Sequence, residues 1–213
     1  MSISVFSSSK IQSVKLNSYG VMSAPNWEII PHKGMKVPSA GELIRQIKEL
    51  AVKRAEAVTD KDFTYVNNEE AKLSAQYLSS VSPDRKALYK EAMEAIKKGK
   101  GKPEPFEVEK TLIDFLNERD QLANGMENGK PYLLASGGSV TPIYNSRGGY
   151  DYNISIGGDV VMSSNEGLGG WTFTMTPAEL QKKDEFYKIF NSAYNIAKIQ
   201  MAIKENKGFD IKI

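Results

Sequence analysis

His32 is the only imidazole this chain can bring to catalysis or to a metal. It lies in the stretch IIPHKGMK, ahead of the first helical text. A metal there would need carboxylates such as Asp60, Asp62, Glu69 and Glu70, and no regular spacing links them to it. The chain has no cysteine, which removes thiolate nucleophiles, disulfides and Cys-based metal sites together. Serines are many, but no strand–Gly-x-Ser-x-Gly–helix elbow singles one out as a nucleophile. Paired carboxylates do not stand out either. Glu107 and Glu109, two apart, point to different sides of a helix. Glu69 and Glu70 are adjacent near an expected helix start, where the helix dipole favours negative charge anyway. Asp151 and Asp159 fall on neighbouring strands but on opposite faces. The expectation is therefore no catalytic residue, no metal and no cofactor.

The glycines pose the next chemical question. Nine of the seventeen lie between Gly137 and Gly170, with pairs at 137–138, 148–149, 157–158 and 169–170. A phosphate-cradling loop needs Gly-x4-Gly-Lys-Ser/Thr or a glycine-rich turn opening a helix, so that backbone N–H groups surround the phosphates. No pair is followed by Lys-Ser or Lys-Thr, and GLGG at 167–170 leads into the strand-like WTFT. These glycines are expected to be turns between strands.

Charge narrows the partners. The chain carries 28 basic and 26 acidic residues, and only five of the basic ones are arginine. A near-neutral, lysine-dominated surface gives no electrostatic reason to expect specific nucleic-acid binding. The densest basic run, Lys97, Lys98, Lys100 and Lys102, is broken by glycine and has no interleaved aromatics, so it reads as a solvated loop. No run approaches the roughly 18 apolar residues of a membrane span. The N-terminal 26 residues hold eight serines, two lysines and no acid, and they lack the apolar core of a secretory signal. They read first as a polar arm and second as an uncleaved address for signal-peptide-independent export. The protein is thus expected to be soluble, either cytoplasmic or exported by that route.

The elements that would position any site follow from periodicity. Ser39 and Glu42 form a capping-box pattern ahead of Leu43, Ile47, Leu50 and Ala51, which share one helical face. After a loop containing Asp60, Asp62 and Asn67, a second helix carries Leu73, Tyr77, Leu78 and Val81. A third begins at Ser82, with Pro83 at its first position, and carries Leu88, Ala92 and Ile96. A fourth opens at Pro105 and carries Val108, Leu112, Phe115, Leu116 and Leu122, with Gly125 as C-cap. From Pro131 to Thr176 only Arg147, Asp151, Asp159 and Glu166 are charged, and five short strands are expected: PYLLA, VTPIYN, YDYNISI, DVVMSS and WTFTMT. NISI-GG-DVVM reads as a two-residue hairpin with Ile154 facing Val161. Pro142 marks its strand as an edge or a bulge. Thr176 and Glu179 form a second capping box. The long helix after them has two apolar stripes, Leu180, Tyr187, Phe190, Tyr194, Ala197 and Met201 beside Phe186, Ile189, Ala193, Ile196 and Ile203, so cover on more than one side is expected.

Together these predict an α+β protein. Residues 1–37 form a serine-rich arm and lead-in, and residues 38–213 form one domain. Within that domain a bundle of about four helices occupies 38–130, a small antiparallel sheet 131–176, and a long C-terminal helix packed on both 177–206. The function expected is non-enzymatic binding of another protein through an aromatic, low-charge sheet surface. The binding residues expected there are Arg147, Tyr150, Tyr152 and Trp171, with the threonines on the opposite face. The alternatives are a hydrolase or transferase assembled from dispersed Asp, Glu, Ser and His32, and a structural subunit of a surface or phage-like assembly.

Overall fold

A computed structural model of the chain describes residues 24–97, 126–146, 149–165 and 169–207. Its helices are α1 (Ala40–Glu56), α2 (Asp60–Leu78), α3 (Arg85–Lys97) and α4 (Pro177–Lys207). Its strands are β1 (Tyr132–Leu133), β2 (Gly138–Tyr144), β3 (Tyr150–Ile156), β4 (Asp159–Asn165) and β5 (Gly170–Phe173). The arrangement is α+β. The helix expected after Pro105 lies outside the described residues. The chain separates into two compact units: a helical unit of Asn26–Lys86 with Met175–Ile213, and a sheet unit of Ala87–Thr174 with Met1–Pro25.

In the helical unit, α1 starts at Ser39, whose hydroxyl accepts the Glu42 N–H at 3.3 Å. Only half of the expected reciprocal box forms, because the Glu42 carboxylate turns to Arg45 and Gln46 instead. α2 begins at Asp60, well before the position expected from its apolar stripe. There Thr59 and Asp62 make a full capping box: the hydroxyl accepts the Asp62 N–H, and the carboxylate accepts the Thr59 N–H at 3.0 Å. The Thr59 hydroxyl, which also reaches the Asp62 carboxylate at 2.7 Å, and the Thr59 N–H hold that carboxyl below its usual range. An aspartate serving where glutamate is usual hid this start. Helix α4 opens on the second box as expected, with Thr176 N–H donating to Glu179 at 2.8 Å and Glu179 N–H to the Thr176 hydroxyl.

The core of this unit is Ile47, Leu50, Ala51, Val66, Phe186 and Phe190, contributed by α1, α2 and α4. Phe186 sits at its centre, with Tyr77 edge-on at 5.9 Å and Phe190 stacked at 6.3 Å. The Tyr187 hydroxyl donates to Glu70 at 2.8 Å, and burial together with that carboxylate pushes its pKa up. The two apolar stripes of α4 are not both covered: Ile196 and Ile203 stay about half exposed.

In the sheet unit the five strands form an antiparallel meander in the order β1-β2-β3-β4-β5. The Gly157-Gly158 hairpin has φ of 58° and 91°, the left-handed pair that a two-residue turn of this kind requires. The register across it departs from simple alternation. A shift between Ile154 and Ser155 places Ile154 opposite Met162, not Val161. This bulge turns both Val161 and Met162 inward.

Helix α3 packs on the inward face of the sheet at Gly138 and Trp171. Leu88 packs so closely on Gly138 that a Cβ there would overlap its side chain and the Ser155 carbonyl. Tyr89 meets Trp171 edge to face at 5.2 Å, and burial raises the Tyr89 pKa. Glu91 accepts from both the N–H and the hydroxyl of Ser136, at 2.9 and 2.7 Å. α3 begins at Arg85, not Ser82. Pro142 lies inside the sheet order but beyond the reach of β1, which pairs only with Ser139 and Val140. The 127–130 turn continues along that stretch. Gly129 N–H donates to the Pro142 carbonyl, and Tyr144 N–H to the Asn128 side chain, both at 2.8 Å.

Candidate binding surface

Strand alternation sorts the sheet into two unlike faces. The inner face carries Val140, Pro142, Tyr152, Ile154 and Trp171, all buried. Ser164 is buried among them and accepts the Tyr152 N–H at 2.7 Å, which satisfies a backbone donor beside the bulge. The opposite face is built from short polar residues. Its cross-strand partners form one continuous row: Thr141 opposite Asn153, Asn153 opposite Ser163, and Ser163 opposite Thr172. Ser139 and Ser155 pair alongside it, as do Ile143 and Asp151. The four residues of the row are half-buried, and the Thr172 hydroxyl reaches the Ser163 carbonyl at 3.4 Å. Asp151 brings the face's one described charge and takes a 3.4 Å contact from the Asn145 amide.

The four aromatic-face residues are thereby placed. Tyr152 is 7% exposed and Trp171 5%, so both belong to the core and not to an open surface. The Trp171 indole N–H finds no acceptor among the described residues. Tyr150 is half-buried at the end of β3, edge-on to Tyr144 at 5.3 Å. Arg147 lies outside the described residues. What surfaces is the threonine-bearing face. The alternation Trp171, Phe173 against Thr172, Thr174 indicated that split, although which face would be covered depended on where a helix docks.

His32 is enclosed. Its Nδ1 lies 2.9 Å from the Ile30 carbonyl, and Trp27 meets its ring edge-on at 5.5 Å. The carboxylates considered beside it have other work: Asp62 caps α2, Glu69 pairs with Lys72 at 3.2 Å, and Glu70 accepts from Tyr187. Among the described residues no three of His, Asp and Glu are grouped to hold a metal. Glu107, Glu109 and Lys98, Lys100 and Lys102 lie outside the described residues.

One open groove of about 330 Å³ runs between α1 and α2. Its charged lining is already engaged. Lys53 lies over the Tyr65 ring, Lys72 bonds Glu69, and Glu49 bonds Arg45 at 2.6 Å.

The most tightly organised polar group in the described chain was missed by sequence reasoning. Arg85 and Glu179 are both 0% exposed and pair through two hydrogen bonds, Nη1 to Oε1 and Nη2 to Oε2, the latter at 2.6 Å. Ser82 donates to Glu179 Oε1 at 2.5 Å, and Arg85 Nη1 also donates to the Pro31 carbonyl at 2.9 Å. Burial alone would raise the Glu179 pKa, but the donors from Arg85, Ser82 and Thr176 hold it below the usual carboxylate range. The Thr176–Glu179 capping pattern was the only signal near it. Nothing in one sequence pairs Glu179 with an arginine 94 residues away.

No family model, curated protein or solved structure matches this chain. None of the described helices is long and apolar enough to cross a membrane.

Proposed function

We propose that this is a non-enzymatic binding protein, and that its recognition surface is the outer face of the sheet. The row Thr141–Asn153–Ser163–Thr172 carries this reading. It places uncharged donors and acceptors at strand spacing on one sheet face, where recognition needs no desolvation of charge. Another protein is the partner that suits such a face, because a neutral row has no pull on phosphate backbones.

The test is affinity capture with full-length protein, comparing wild type with Asn153→Arg and Thr172→Arg. Val58→Lys, on a side chain exposed in the helical unit, is the control. A partner held by wild type and by the control, but weakened at least about tenfold by either arginine, supports the proposal. A partner held equally by all four proteins moves recognition off this face. Export is proposed from the serine-rich residues 2–23 alone. Deleting them and following the protein between cell and medium tests it, and an unchanged distribution ends it.

A further inference from the structure

The chain passes between its two units twice, after Lys86 and after Thr174. On the helical side both passages meet the same buried cluster. Ser82 and Arg85 stand just before the first, and Thr176 and Glu179 just after the second. All four belong to the helical unit. That unit is interrupted in sequence by residues 87–174, so its two pieces must find each other across a long closed loop.

Apolar packing of α4 on α1 and α2 supplies attraction but is non-directional. The cluster supplies direction. The planar guanidinium meets the carboxylate through two parallel bonds, which fixes angle as well as distance. Glu179 receives donors from Arg85, Ser82 and the Thr176 backbone, and Arg85 reaches on to Pro31. Three stretches of chain remote in sequence are therefore bonded at one point, across separations of 54, 94 and 97 residues.

We infer that the Ser82–Arg85–Glu179 cluster is a clasp that joins the two sequence-separated pieces of the helical unit, so that they fold, and open, as one body. A buried ion pair is weak evidence for raw stability, since apolar replacements often do as well, but its best-attested use is to specify register. Removing one member leaves the other buried and unpaired, which is strongly destabilising.

The chain carries its own reporters. It has two tryptophans: Trp27, against His32 in the helical unit, and Trp171, against Tyr89 in the sheet unit. Full-length Trp171→Phe and Trp27→Phe backgrounds each isolate one fluorescence signal. In them, urea unfolding is compared with and without Glu179→Gln, alongside amide exchange. The expected result is a lower urea midpoint for Trp27, little change for Trp171, and exchange faster by on the order of a hundredfold or more across α1, α2 and α4 together. Three results overturn the clasp: both tryptophans shifting together, an unmoved Trp27 midpoint, or faster exchange confined to the residues flanking Ser82 and Glu179. If Glu179→Gln does not fold, Ser82→Ala removes a single donor. A smaller shift seen only at Trp27 then supports the clasp, and one shared by both tryptophans overturns it.

Discussion

The two units are closed by opposite means. The sheet unit is built from neighbours: each strand pairs with the next, and left-handed glycines set its tightest turn. The helical unit is built from strangers, its decisive bonds spanning 54 to 117 residues. Local pairing needs little loop-closure entropy and a modest vocabulary of turn residues. Long-range closure needs directional contacts that cannot slip, and here these are buried ions. The comparison teaches that the same chain entrusts register to backbone geometry in one place and to charge in the other.

That contrast can be broken from either side. The largest effect expected is from Phe186→Ala, which empties the centre of the helical core and should cost about 3–5 kcal/mol, measured by urea unfolding through Trp27. Acid comes next. The Glu179 carboxyl is held below its usual range in the folded chain, so its contribution is fully present above the unfolded-state value. It is lost as pH falls through the lowered one. The helical unit should thus weaken on acidification in a pH-dependent stability profile, and Glu179→Gln should flatten that slope. In the sheet unit, Gly138→Ala must push both Leu88 and the Ser155 carbonyl aside, for a loss of about 1–3 kcal/mol seen at Trp171. Gly157→Ala puts a side chain at φ 58° in open space, so only backbone strain acts and about 1–2 kcal/mol is expected by thermal melting. Leu133→Lys, on a side chain 89% exposed, should change stability by no more than about 0.5 kcal/mol.

The same difference explains what could be read from the residues alone. Strands β2 to β5, the Gly157-Gly158 hairpin and the oddity at Pro142 were legible because alternation and turn chemistry are local signals. The bulge at Ile154/Ser155 was not, since a period-two pattern assumes that no residue is added. It moved the partner of Ile154 by one position. The start of α2 was legible in principle at Thr59–Asp62 but was obscured by an aspartate in the usual glutamate position. Of the candidate surface, the low charge was visible and the polar row was half visible in Thr172 and Thr174. Which face would be covered was not, because the Leu88, Tyr89 and Glu91 contacts of α3 carry no signal in the strands they cover. The Arg85–Glu179 pair had no local trace at all.

The turn at 127–130 has one further consequence, for how the sheet meets other chains. Where β1 stops, β2 would expose open backbone from Pro142 to Tyr144, the kind of rim on which a foreign strand can add itself. Gly129 and Asn128 already occupy it, and Pro142 has no N–H to give. That rim is thereby stopped against strand exchange and fibre-like stacking.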